Sequence, residues 1–140
     1  MTIAAVRTHR LSAPLHTPFV TALRRTTTVE TLVVEVVDRD GRSGFGEAPQ
    51  VWQVTGASVA GAEACVRELL GPLLTSRDPD DLVARCTEVG RAVAGNEAAR
   101  AAVDVALHDL AARRLGVPRS CHGRRPGPTR GSGCARGRPG

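Results

Sequence analysis

The sequence predicts an α+β fold: a three-stranded antiparallel meander followed by three or more helices, then a disordered basic tail. Three observations carry that expectation. The apolar period changes from that of strands to that of helices after Pro49. The run Asp38-Arg39-Asp40-Gly41 separates two strand-like segments as a tight hairpin would, with Gly41 available for positive φ. From Arg119 onward, the chain is dominated by arginine, glycine and proline.

The elements follow in order. Ile3 to Leu11 reads as a first strand of imperfect period, and Pro14 and Pro18 interrupt regular structure and bracket a loop. Val29 to Val37 is the clearest strand, because most of its residues are β-branched. Arg42 to Ala48 returns as the third. Val59, Ala62, Val66, Leu69 and Leu70 then share one helical face, which ends near Gly71-Pro72. Asp78 is placed to cap the next helix ahead of Pro79, and Leu82, Val83, Cys86, Val89 and Val93 give that helix its apolar stripe. Asn96 is placed to cap an alanine-rich helix from Glu97 to Leu115. Ala99, Val103, Ala106, Leu107, Leu110 and Ala111 line that helix on one side, and Gly116 to Pro118 stop it. Two regions result: a domain over 1–118 and a tail over 119–140, which holds too little apolar surface to repay the entropy of ordering.

Charge and composition restrict function. The 140 residues carry a formal charge of +5, but six of the 19 arginines lie in the tail, where there is no acid. The body therefore holds 13 arginines against 14 acids, a net of −1. The tail also lacks aromatic residues on which bases could stack, so nucleic acid is not an expected partner. There is no lysine, which excludes Schiff-base and lysine general-base chemistry by these residues alone. No apolar run is long enough for a membrane span, and the first residues do not have the form of a signal peptide, so a cytoplasmic location is expected. The four cysteines have no CxxC spacing, and Cys65 and Cys86 read as buried, reduced thiols. Gly44-x-Gly46 lacks the strand–turn–helix context of a dinucleotide loop and reads as a place where backbones approach closely. Glu47, and Asp104 with His108 and Asp109, read as structural hydrogen-bonding groups.

The segment from Pro18 to Arg25 carries an aromatic ring, a hydroxyl and a guanidinium between two strands. Taken alone, Arg24 reads either as a solvated loop arginine or as a fork that pairs bidentately with a carboxylate. Phe19 reads as an apolar lid or as ordinary packing, and Thr55 as a contact residue or a helix N-cap.

Several blocks resemble one family. They are Pro14-Leu15 with Pro18 to Arg24, Gly44 to Pro49, Val54-Thr55-Gly56, Gly95 to Asp109, and Leu115 to Pro118. Together they resemble the N-terminal capping domain of the enolase superfamily, in its mandelate racemase/muconate lactonizing branch, and most of all the dipeptide (L-Ala-D/L-Glu) epimerases. The resemblance implies a cap that closes over a (β/α) barrel. In such relatives barrel lysines abstract and return an α-proton, and barrel acids hold the Mg²⁺ that stabilises the enolate. It implies that Phe19, Thr21, Arg24, Val54 and Thr55 contact a dipeptide substrate. No catalytic residue, metal ligand or cofactor is expected within this chain, and Mg²⁺ is expected in the full-length enzyme. Trp52 is expected to pack against the barrel.

The blocks end at Pro118, so the expectation is a specificity cap without its barrel, inactive alone, whose tail is an out-of-frame extension. Two alternatives stand beside it. One is a non-enzymatic truncated or pseudogene product, self-associating through the surface a barrel would cover. The other is a nucleic-acid binder working through its basic tail.

Overall fold

The β-branched run ending at Asp38 forms the centre of the sheet, because it buries side chains on a helix-covered face and pairs along both edges. The computed structural model describes residues 2–118; the expectations for the tail lie outside the described residues. Strands β1 (Ile3–Val20), β2 (Arg25–Asp38) and β3 (Ser43–Pro49) form one antiparallel sheet in the order β1-β2-β3. Gly41, at φ 82°, turns β2 into β3. Leu32, Val34 and Val36 alternate onto the covered face and are fully buried.

The helices pack on that face. A short helix α1 (Trp52–Thr55) is closed by left-handed Gly56. Next, α2 (Val59–Cys65) runs through a π-helical turn, Val66–Leu70, into α3 (Gly71–Leu74). Then come α4 (Leu82–Ala92) and α5 (Glu97–Leu115). Ala99, Ala102, Val103, Ala106, Leu107 and Leu110 of α5 are buried against the sheet. Among them the alanines keep the helix close to β3, and Gly44 and Gly46 complete that approach by having no Cβ. A Cβ on Gly44 would lie 2.2 Å from the Ala106 carbonyl oxygen, and one on Gly46 1.9 Å from that of Ala102. The close approach read from Gly44-x-Gly46 is therefore present, between strand and helix. Asp109 fastens the same contact: its Oδ2 accepts from the Phe45 amide at 3.0 Å and from Arg113 Nε at 2.9 Å.

Several boundaries differ from the sequence reading. The first strand does not stop before Pro14 but continues to Val20, with a register break between Pro14 and Phe19. It is an edge strand, and a proline without an N–H is tolerated where one side of the strand has no partner. The second and third strands begin at Arg25 and Ser43. Gly71-Pro72 does not end the second helical run: Pro72 sits in the first turn of α3, where a missing N–H is harmless. The π turn shifts the helical phase, so Leu69 is exposed while Leu70 and Leu74 are buried. Asp81, not Asp78, caps α4 by accepting from the Ala84 amide. Asp78 instead accepts from the Asp80 amide at 3.0 Å, a local turn that competes with capping. Val83 lies off the α4 stripe and is exposed. Asn96 precedes α5 but makes no side-chain cap; its left-handed backbone, next to Gly95, makes the turn from α4. Ala111 is half-buried, whereas its neighbour Ala112 is buried. Cys65 is buried and Cys86 only partly so; both are free thiols.

The open face of the sheet is held by polar pairs. Glu35 accepts from Ser43 Oγ at 2.6 Å and stands 3.1 Å from His9 Nε2 and 3.7 Å from Arg7. The Ser43 hydroxyl, with His9 and Arg7, holds its carboxyl below the usual carboxylate value against the opposing effect of burial. A lowered folded-state pKa means that the unfolded chain binds the proton more readily, so this contribution is present above the ordinary value of 4.5 and is lost as pH falls below it. Urea unfolding between pH 6 and pH 3 should therefore show an acid-side loss of stability that is shallower in Glu35→Gln. Equal slopes for the two proteins would contradict it.

Candidate functional site

The tip of the β1–β2 hairpin is built by Thr21. Its amide donates to the Arg24 carbonyl at 2.8 Å, and its hydroxyl accepts from the amides of Leu23 and Arg24 at 3.3 and 3.2 Å. What reads in sequence as a loop from Pro18 to Arg25 is thus two paired strand ends, Phe19 opposite Thr26 and Val20 opposite Arg25, joined by a tight turn. The turn places Arg24, half-buried, above α1. There Nη1 of Arg24 stands 3.5 Å from Gln53 Oε1.

These groups border a groove of about 260 Å³ lined by Arg24, Arg25, Glu30, Gln50, Trp52 and Gln53, among others. Gln50 donates to Glu30 Oε2 at 2.6 Å and accepts from the Val59 amide at 3.3 Å, which fixes the groove wall to the start of α2. The groove presents two guanidiniums and one carboxylate, a donor-rich surface suited to an anion such as a carboxylate.

The five residues expected to contact substrate are not gathered into one cavity. Arg24 lines this groove. Thr55 lines a separate, larger cavity of about 640 Å³ with Glu47, Val51, Asn96 and Glu97. Its hydroxyl donates to the Val51 carbonyl and accepts from the Ala57 amide, at 3.3 Å each. Thr55 ends α1 rather than capping a helix start; Ser58 is the N-cap of α2, accepting from the Gly61 amide at 3.0 Å. Phe19 and Val54 are exposed and line neither cavity. Glu47 is engaged by Thr31 Oγ1 at 2.9 Å, in keeping with a structural role.

Among the members of the groove that sequence reasoning missed are Arg25, Glu30, Gln50 and Gln53. Arg25 reads as a solvated neighbour of Arg24, and the glutamines carry no motif. Gly56, four residues beyond Trp52, was the available signal for the short helix that brings Gln53 to Arg24.

Between α4 and α5 a different group gathers. Cys86, Asp104 and His108 each offer one donor atom, and these atoms lie within 4.8 Å of one another. Nδ1 of His108 stands 2.9 Å from the Asp104 carbonyl oxygen and 3.6 Å from Asp104 Oδ2. Burial pushes the Cys86 thiol up to about 12, helped by its hydrogen bond to Asp104 and that carboxylate's charge. This set of one sulfur, one nitrogen and one oxygen does not fit Mg²⁺, which takes oxygen ligands. Among the described residues no all-oxygen cluster is gathered in its place.

No helix among the described residues is long and apolar enough to cross a membrane. Residues 3–120 match the family described as mandelate racemase/muconate lactonizing enzyme, N-terminal domain. The L-Ala-D/L-Glu epimerase of Bacillus subtilis is 35% identical over 118 residues, covering 84% of this chain and 32% of that enzyme. Muconate cycloisomerase 1 of Rhodococcus opacus is 38% identical over 120 residues, covering 84% and 32%. The dipeptide epimerase of Methylococcus capsulatus, solved with Mg and the dipeptide L-Arg-D-Lys, superposes with a TM-score of 0.77 at 36% identity, covering 85% of this chain and 34% of that one. The chain thus spans about a third of the length of the relatives it matches.

Proposed function

We infer the function of this chain from the family it belongs to, that of mandelate racemase and muconate lactonizing enzyme, whose N-terminal domain it contains. It is an enolase-superfamily N-terminal domain most like those of dipeptide epimerases. On that premise, residues 1–118 act as the substrate-specificity cap of a Mg²⁺-dependent dipeptide epimerase. Arg24 receives the substrate's carboxylate, and Phe19, Thr21, Val54 and Thr55, which lie outside the Arg24 groove, contact other parts of the substrate. On this reading the α-proton is moved by groups of the barrel, and the 140 residues, which contain no lysine, are catalytically silent alone. The exposed Phe19, Leu23 and Trp52 belong, on this reading, to the surface that meets a barrel, and they supply a face for self-association without one.

The observation that carries the reading is Arg24 itself: a half-buried arginine at a hairpin tip, its guanidinium 3.5 Å from Gln53, in a groove rich in donors that Trp52 also lines. The experiment grafts residues 1–118 in place of the matching domain of the Bacillus subtilis epimerase and follows epimerisation of L-Ala-L-Glu with Mg²⁺. The graft is expected to be active and the 140-residue chain inactive. Arg24→Gln in the graft is expected to raise KM about 30-fold, the equivalent of losing a charge-assisted contact of about 2 kcal/mol, with a smaller change in kcat. An unchanged KM in that variant removes Arg24 from the site, and turnover by the 140-residue chain overturns the cap reading.

A further inference from the structure

We propose that Cys86, Asp104 and His108 form a site for a thiophilic divalent cation of the Zn²⁺ class, on the seam between α4 and α5. Asp104 and His108 lie four residues apart on α5, so both side chains share one face, and Cys86 reaches them from the facing turn of α4. Tetrahedral zinc, with bonds of about 2.0–2.3 Å, sets its ligand atoms about 3.3–3.8 Å apart. The 3.6 Å between His108 Nδ1 and Asp104 Oδ2 lies in that range and the whole triad falls within 4.8 Å; on binding, Nδ1 exchanges its N–H bond to the Asp104 carbonyl oxygen, at 2.9 Å, for the ion, and the ring proton moves to Nε2. The three donors therefore face one small volume on the seam between α4 and α5.

The chemistry also fits. The Cys86 sulfur and the Asp104 carboxylate lie in one cluster within 4.8 Å, so the thiol and the carboxylate face a common point. On binding, the S–H proton leaves to solvent and a metal–thiolate bond takes its place. The thiolate and the Asp104 carboxylate then balance the charge of the dication. A cavity of about 330 Å³ lined by Cys86, Gly90, Glu97, Arg100 and Asp104 adjoins the triad, leaving room for a water or an anion as fourth ligand. The Arg100 guanidinium lines that cavity and favours an anionic fourth ligand. With a soft sulfur and an imidazole among three ligands, the set selects zinc or cobalt over magnesium.

The test uses Co²⁺ as the probe, because a thiolate bound to it gives a charge-transfer absorption band. Cys121, His122 and Cys134 lie in the tail and offer competing ligands, so the full chain is prepared with Cys121→Ser, His122→Asn and Cys134→Ser. One Co²⁺ per chain is expected, with the band displaced by Zn²⁺. Cys86→Ser should abolish the band, and His108→Ala and Asp104→Asn should each weaken binding about tenfold or more. Cys65→Ala should leave it unchanged. Circular dichroism verifies the fold of each variant, and Asp104→Asn alters a half-exposed carboxylate, so it gives a reading even if another variant unfolds. Absence of the band at stoichiometric Co²⁺, or its survival in Cys86→Ser, overturns the proposal.

Discussion

Gly46→Ala is expected to lose about 3 kcal/mol or more of folding stability, enough to leave much of a small domain unfolded. The added methyl would lie 1.9 Å from the Ala102 carbonyl oxygen and 2.8 Å from its carbon, both backbone atoms of α5. Backbone cannot rotate away as a side-chain tip can, so α5 has to move off β3. That movement would open the contact that buries Ala102, Val103 and Ala106. Alanine is ordinarily better than glycine in a strand or a helix, so the sign here comes from tertiary contact alone. Gly90→Ala supplies the contrast. Gly90 lies within α4, and its added methyl meets only the Arg100 guanidinium, at 3.7 Å. That substitution is expected to stabilise the domain by about 0.5–1 kcal/mol through helix propensity. Urea unfolding followed by circular dichroism measures both. A neutral Gly46→Ala would mean that helix and strand are not in the contact described.

Asp38→Ala is expected to cost about 3 kcal/mol. The carboxylate is buried at the end of β2, and its Oδ1 accepts from the amides of Asp40 and Arg42, each at 2.9 Å. Those bonds hold the turn into β3. Its Oδ2 stands 3.8 Å from Arg114 Nε near the end of α5 and 3.9 Å from Arg42 Nη1, and Arg114 also reaches Asp80 at 3.0 Å. One side chain therefore ties the hairpin, the end of the last helix and the segment before α4 together. Removing it leaves two turn amides without their acceptor and a largely buried guanidinium without its inner counter-charge. Asp38→Asn retains an oxygen for the turn amides and loses only the charge, so it should fall between wild type and alanine, at about 1–2 kcal/mol. Equal losses for Asn and Ala would assign the whole effect to the ion pairs. Thermal unfolding of the three proteins in parallel makes the distinction.

The long-range role of Asp38 is not legible in the sequence, where it reads only as a turn residue. The same holds for Asp109 and Gln50, whose partners lie 64 residues away at Phe45 and 20 away at Glu30. Such pairings leave no local pattern, because the groups meet only after the sheet and α5 have assembled. Leu69 and Val83 show the opposite difficulty. Each fits an ideal helical stripe, yet a π turn in one case and a small phase offset in the other leave them in solvent. Cys86, Asp104 and His108 divide the same way: the spacing of the last two is visible along α5, while Cys86 joins them only through the packing of α4.

By itself the sequence determined the meander, the span of α5 to the residue, the close backbone approach at Gly44-x-Gly46, and the resemblance that placed the family. Those depend on period, turn chemistry and short blocks of neighbours, all of which are local. Only the tertiary structure decided that β1 runs through its prolines, that the Pro18–Arg25 segment is a hairpin tip, and that Arg24 meets Gln53 while Thr55 faces another cavity. An edge strand forgives proline because one of its sides needs no hydrogen bonds. A groove exists only where a hairpin tip and a helix turn far apart in the chain are brought side by side.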